Sequence, residues 1–459
     1  MTGKSALPAN AKKSTHAHTL GRYLLGIFLL FAVFQLQASK QYTVDEVIER
    51  GAIRVIGVAG PTTFLPHGDN GARGLQYELL RKFAEQLNVN LVLEQAPNAE
   101  AVIRALKSGD ADIGITGLAT DDPRLAKLQS TAPYLQVQQQ LIQRAAFAAN
   151  TDKTVSIAVG KNSAEALELA QVQPHADLVE MRNATPDKLL AEVNAGEVDY
   201  AVVNEAEFAA RRAAFPQLKA GEPLQSTELA WAVRPRDAAL LRLANRFLRD
   251  STEDGTLQRL TAFYGQGDTF NAFGVKTFQR DMQDRLPLYK SMFQQQAHKQ
   301  EMDWRLLAAI GYQESKWDSY AVSPTGVTGL MMLTRGTAQE MGVTNLRNPQ
   351  QSIQAGAAYY KIMTDKLPAT VHEPDRTWMA LAAYNMGYRH VLTARKLTAA
   401  HGDDPNKWLD VSRYLKQLPR AGQALVYVQE VRRYYDALLL NTGNQSWVAS
   451  VERKWVVTQ

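Results

Sequence analysis

Apolar and polar positions follow two rhythms along the chain, and the change falls near residue 268. Before it, short apolar runs alternate with helical periodicity. Residues 53–58, IRVIGV, read as a strand after a short helix. GLQYELL, from Gly74, opens a helix that continues through Phe83 and Leu87. Leu91, Val92 and Leu93 make the next strand, residues 99–108 the next helix, and residues 109–115, GDADIGI, a turn into a strand. The arrangement recurs, with a helical pattern over 185–195 followed by GEVDYAVV at 196–203. Two such halves predict two α/β lobes, each with a parallel sheet.

GQGD at residues 265–268 reads as a domain boundary, and beyond it the periodicity is helical almost throughout. Helices are predicted over 277–298, from Asp303 onward, and over 350–367, 376–400 and 421–440. No apolar run is long enough for a sheet, although 322–329 leaves room for a small hairpin. Ahead of the first strand, Lys4, Lys12, Lys13 and Arg22 precede an apolar run over 23–36. That run is short for a spanning helix, which needs about 20 residues. With Ala38 and Ser39 after it, it predicts a signal peptide over residues 1–38, and hence export. A retained N-terminal anchor is the alternative.

The 459 residues have room for two or three domains, and 45% hydrophobic with 21% charged residues suits globular cores. A net charge of +5, with no block of like charge after the leader, gives nucleic-acid binding little support. Mild basicity suits an anionic wall polymer or a membrane surface. The absence of cysteine excludes disulfides, thiolate metal sites and a lipidated N-terminal Cys. No metal or organic cofactor is implied.

Candidate chemistry centres on one carboxylate. Asp303 is placed to cap a helix whose apolar stripe is Leu306, Leu307 and Ile310. Leu307, Ile310, Gly311 and Glu314 follow at helical spacing, so Glu314 lies on or beside the buried face. Apolar walls disfavour the charged form of a carboxyl and let it keep a proton near neutral pH, as a general acid must. Alone, a Glu near a helix end is more often a solvated or capping residue. Its company singles it out. Glu314-Ser315, Ser323 with Gly326, Gly329-Leu330-Met331 and Ala383-Tyr384-Asn385-Met386-Gly387 occur in that order.

This ordered set resembles the catalytic domain of the family 1 lytic transglycosylases, which has a mainly α, lysozyme-like fold. The resemblance implies cleavage of the β-1,4 bond between N-acetylmuramic acid and N-acetylglucosamine in peptidoglycan glycan strands. One Glu, here Glu314, protonates the glycosidic oxygen and then takes a proton from the muramoyl 6-hydroxyl, closing a 1,6-anhydro ring. The resemblance also implies that Ser323 orients sugar or carboxylate, that the Tyr384 hydroxyl bonds Glu314, and that Asn385 holds an N-acetyl or backbone group. Tyr427 matches a late Tyr lining the groove, although Ala424-Leu425-Val426 before it departs from the family pattern. Met332 stands where many relatives carry Gln; it can wall a sugar subsite but donates no hydrogen bond. Two alternatives remain open: a hydrolytic muramidase using Asp318 or another acid as base, and a muropeptide sensor with a silent enzyme half. Trp304, Trp317, Trp378 and Trp408 are read as core anchors.

The first half resembles the family 3 periplasmic solute-binding proteins. The matching stretches are Gly74 to Leu79, the Gly-Asp-x-Asp turn at Gly109, Thr120 to Arg124, Pro133-Tyr134 and the turn from Gly196 to Asp199. This implies a non-catalytic, regulatory domain that closes on a ligand between its lobes. Arg124 matches the Arg that clamps an amino-acid carboxylate, a task suited to a bidentate guanidinium. Asn204 stands where an Asp usually takes the amine, so an amino acid and a muropeptide are both open as ligands. The expected organisation is signal peptide 1–38, solute-binding-like domain 39–268 and catalytic domain 269–459. The leader predicts export, and the resemblance implies a periplasmic location, peripheral on the inner face of the outer membrane.

Overall fold

The structure, a computed structural model, describes residues 44–67, 71–146, 154–212, 214–265, 272–324, 326–419, 421–442 and 454–457. The expected signal peptide and the boundary at residue 268 lie outside the described residues.

Helix α1 (Val44–Arg50) leads into β1 (Ala52–Val58), the antiparallel pair β2 (Leu65–His67) and β3 (Gly71–Arg73), α2 (Leu75–Gln86), β4 (Asn90–Ala96), α3 (Ala99–Ser108) and β5 (Ile113–Ile115). A 3-10 turn (Pro123–Leu125) precedes β6 (Gln129–Ser130). The chain leaves this first lobe on β7 (Leu135–Arg144). The second lobe holds β8 (Ser156–Gly160), α4 (Ala164–Val172), β9 (Asp177–Met181), α5 (Pro186–Ala195), β10 (Tyr200–Asn204) and α6 (Glu205–Arg211). The chain returns on β11 (Leu218–Leu229) to β12 (Ala232–Val233), α7 (Ala238–Glu253) and α8 (Thr256–Tyr264). The helical half comprises α9 (Ala272–Asp284), α10 (Leu286–Lys299), α11 (Trp304–Ser315), α12 (Arg335–Glu340), α13 (Pro349–Asp365), α14 (Asp375–Met386), α15 (Tyr388–Ala400), α16 (Trp408–Leu415) and α17 (Ala421–Thr442). A last strand, β13 (Lys454–Val457), follows.

The two lobes are α/β, but their sheets are mixed rather than parallel. In the first, ordered β13-β4-β1-β5-β12-β6, β1 runs parallel to β4 and β5 while β12, β6 and β13 run antiparallel to their neighbours. In the second, ordered β11-β7-β10-β8-β9, the parallel core is β10-β8-β9. The cause is the crossing. β7 carries the chain out of the first lobe and β11 carries it back, so the two run antiparallel, with Leu135 opposite Leu229 and Arg144 opposite Leu218. β1 is covered on both faces over its second half, where the successive Val55, Ile56 and Gly57 are all buried, while Arg54 before them is half-buried.

Two predicted helices are each broken in two. Pro287, which lacks an N–H, is tolerated in the first turn of α10 and separates it from α9. Gly387, at φ 90°, separates α14 from α15. The region 322–329 forms isolated antiparallel bridges, Val322 to Thr328 and Thr328 to Leu333. The helical half shares one core that includes Leu306, Leu307, Ile310, Trp317, Leu330, Met331, Trp378, Val428 and Val431. Small residues admit the loop at 329–331: a Cβ on Gly356 would lie 2.7 Å from Met331 Cε, and one on Gly311 would lie 3.0 Å from Leu330 Cδ2.

The halves are joined by buried polar contacts. Arg73 of β3 donates from Nε to Asp436 of α17 at 3.1 Å and lies over the Tyr435 ring. Arg81 of α2 pairs with Asp375 of α14 at 2.9 Å, and His67 Nε2 lies 3.0 Å from Glu373. The second lobe also reaches α17, where Asn441 accepts from Ala214 N at 2.8 Å and donates to Ala210 O at 2.9 Å. β13 extends the edge of the first sheet beside β4, although the expected division assigns it to the other half.

Candidate active site

Helix α11 presents Glu314. It begins where Asp303 accepts from Arg305 N at 2.8 Å, and it ends at Lys316, whose left-handed backbone (φ 56°) stops further winding. Ser315 turns inward and donates to Leu330 O at 2.8 Å, tying the last turn of α11 to the 329–332 loop. Trp317 is buried and donates to Ala308 O at 2.8 Å, which fixes the exit of the chain. Glu314 is left half-buried at the end of the helix.

Tyr427 of α17 donates to Glu314 Oε1 at 2.7 Å. Burial pushes the Glu314 carboxyl up to about 7, while the Tyr427 hydrogen bond and the positive charge of Lys316 oppose the rise. Among the described residues, no second carboxylate contributes to this shift. Near neutral pH the group therefore populates both states, able to give a proton and to take one.

The other expected residues fall into different places. The Tyr384 hydroxyl donates to Met331 O at 3.2 Å rather than to Glu314. The reason is positional: α14 lies beside the 329–332 loop, whose carbonyl takes that hydroxyl, whereas α17 reaches the last turn of α11. Ser323 Oγ accepts from Val327 N at 3.0 Å and so shapes the turn at 323–327. Met332 is half-buried in a left-handed conformation (φ 47°), held by its N–H to Gly329 O at 3.1 Å. Asn385 is exposed near the C-terminal end of α14. Asp318 is exposed and accepts from Tyr320 N at 2.9 Å, a turn contact. Trp378 and Trp408 are buried in the core and Trp304 packs against it. The resemblance puts Tyr427 in the groove but assigns the bond with Glu314 to Tyr384; in the structure that bond belongs to Tyr427.

In the solute-binding-like half, Arg124 and Asn204 both line a cavity of about 180 Å³ between the lobes. Asn204 is also the N-cap of α6, accepting from Glu207 N at 2.9 Å. Among the described residues no cluster of three or more metal-ligating side chains occurs, and no helix is long and apolar enough to cross a membrane.

Comparison with known proteins places these features in context. Residues 291–406 match the family described as Transglycosylase SLT domain, and residues 53–267 match Bacterial extracellular solute-binding proteins, family 3. The first match contains Glu314, Ser323, Met332, Tyr384 and Asn385, while Tyr427 lies beyond it. A protein of Alcanivorax borkumensis named Membrane-bound lytic murein transglycosylase F is 37% identical over 444 residues, covering 91% of this chain and 95% of that one. Its namesake in Ectopseudomonas mendocina is 39% identical over 430 residues, covering 88% of each chain. Among solved structures, an ancestral arginine-binding protein bound to arginine matches at 21% identity and TM-score 0.42, covering 47% of this chain and 99% of its own.

Proposed function

The chain belongs to the membrane-bound lytic murein transglycosylase F family, a family of peptidoglycan lyases, and from that premise we infer that Glu314 moves both protons of the reaction. The observation that carries this is its carboxyl, raised to about 7 and held by a single neutral donor, Tyr427. The protonated carboxyl donates to the glycosidic oxygen as the bond to the muramoyl C1 breaks. The resulting carboxylate then takes the proton of the muramoyl 6-hydroxyl as that oxygen attacks C1. Glu314 returns to its starting state, and no water is consumed. The attacking hydroxyl belongs to the sugar itself, so the second step needs no captured nucleophile. Tyr427 orients the carboxyl through both steps.

The remaining residues support the substrate. Exposed Asn385 offers its amide to an N-acetyl group. Ser323 and Met332 shape one wall, and Tyr384 fixes the loop that carries Met332. The division expected at residue 268 sets this enzyme apart from a two-lobed domain whose cavity is read as the site of an amino-acid or muropeptide ligand. α17 favours communication between them, since Tyr427, Asp436 and Asn441 on this one helix touch Glu314, the first lobe and the second lobe. Reciprocal coupling requires that the ligand bind the two arrangements with different affinity. The basic leader followed by an apolar run supports export, and the likeness to relatives named membrane-bound supports a peripheral seat in the periplasm, on the inner face of the outer membrane.

The test is the rate at which purified wall sacculi are cleared. Glu314→Gln keeps the shape and the Tyr427 contact but cannot exchange the proton. Its rate is expected to fall roughly 10²–10⁴-fold or more. A variant within threefold of the parent would remove Glu314 from the mechanism.

A further inference from the structure

A guanidinium fork facing a helix N-terminus is a carboxylate-binding arrangement, since both supply N–H donors and positive potential. The cleft between the lobes contains one, and it is already filled by the chain itself. Arg124, in the first lobe, points across the cleft at the loop leading into α4 of the second; a Cβ on Gly160 would lie 3.3 Å from its Nη1. Between Arg124 and α4 sits the Asp122 side chain, only 1% exposed. Its Oδ1 accepts from Arg124 N at 2.9 Å and Arg124 Nε at 2.8 Å. Its Oδ2 accepts from Arg124 Nη2 at 2.7 Å and from Ala164 N, in the first turn of α4, at 3.4 Å. Arg124 Nη1 lies 3.5 Å from Glu100.

The second cation lining the cavity is occupied too. Arg211 pairs with Glu207 and, at 3.0 Å, with Asp187, and Glu207 accepts across the cleft from Thr62 Oγ1 at 3.3 Å. The cleft thus sets Arg124 and Arg211 among Glu100, Asp122, Glu165, Asp187 and Glu207. Among the described residues of the cleft, carboxylates outnumber cations, and Arg124 and Arg211 are each paired with carboxylates of the chain.

We propose that Asp122 is a resident carboxylate that occupies the anion fork of the cleft, so that the domain admits ligands by neutral amide, hydroxyl or amine groups and excludes a free carboxylate from Arg124. This deepens the reading of the cleft as a ligand site and rests on it. It also changes the role expected for Arg124, from a clamp on the ligand to a clamp on the chain.

The experiment titrates the whole chain by calorimetry with N-acetyl-L-alanine and N-acetyl-L-alaninamide, which differ only in carboxylate against carboxamide. Parent, Asp122→Ala and Asp122→Asn proteins are compared, each with its melting curve. Asp122→Asn retains an acceptor for the 3-10 turn, so a gain of binding in it does not come from a lost cap. The parent is expected to show no preference for the acid, and both variants are expected to prefer acid over amide by roughly tenfold or more. Adding Arg124→Met should erase that preference. Folded variants that gain no acid preference would overturn the proposal, as would a parent that binds the acid through Arg124. In the latter case the cleft would still be a ligand site, and only the assignment of Asp122 would fail.

Discussion

Tyr427 donates to Glu314 at 2.7 Å from a helix that, further along, is held by both lobes of the other domain. The catalytic carboxyl therefore has a hydrogen-bond partner whose position is set from outside its own helix. The bond lowers the Glu314 pKa against a larger upward push from burial. Removing it with Tyr427→Phe should raise that pKa by roughly one unit, as loss of a hydrogen bond to a charged group implies. The basic limb of the kcat/KM profile, expected near pH 7 in the parent, should move upward by that amount, with kcat reduced. An unmoved limb would show that Tyr427 does not act on the ionisation of Glu314.

Glu314→Gln should also change stability with pH. The folded carboxyl holds its proton up to about 7, against about 4.3 in an unfolded chain. Stability from that bound proton is complete below about pH 4.3 and is lost as pH rises through 7. The variant should thus match the parent at pH 4 and exceed it at pH 8, by on the order of 1–3 kcal/mol. Melting temperatures at the two pH values check this. A constant difference would mean that the carboxyl is not perturbed.

Much of this site was legible in sequence. Asp303 and the Leu306, Leu307 and Ile310 stripe fixed both the start and the facing of α11, because cap chemistry and helical period act locally. Pro287 and Gly387 are equally local signals, and in the structure they prevail over the continuous apolar periodicity that predicts a single helix at each place. The partner of Glu314 was of another kind. Tyr384 and Tyr427 are both buried tyrosines on helices near α11. Which of them reaches the carboxyl depends on how α14 and α17 dock, and no sequence interval encodes that. The same holds for Arg73 with Asp436 and Arg81 with Asp375, pairs made between halves that fold on separate cores. The out-and-return strands β7 and β11 turned the predicted parallel sheets into mixed ones for a related reason, since pairing is chosen by chain path as well as by side-chain pattern.

Asp318 offers a control on the number of carboxylates. It is exposed and serves a turn. Asp318→Asn should retain activity within about threefold, since surface substitutions away from special contacts have small effects. A loss approaching that of Glu314→Gln would mean that a second acid takes part.

Arg73→Met tests the junction of the halves. Arg73 is 1% exposed and its loss leaves Asp436 facing Arg432 alone. Breaking a buried pair on one side costs about 3–5 kcal/mol. A clear fall in melting temperature and faster proteolytic separation of the halves are expected. A change below about 0.5 kcal/mol would show that the contact does not hold the halves together.

The most direct test of the central claim is mass spectrometry of sacculi digested in ¹⁸O-enriched water, by the parent and by Glu314→Gln. If Glu314 alone gives and then takes the proton, the parent releases anhydro-muropeptides one water lighter than hydrolysis products, without ¹⁸O, and the variant releases none. Reducing ends carrying ¹⁸O, or undiminished anhydro products from the variant, would contradict the account.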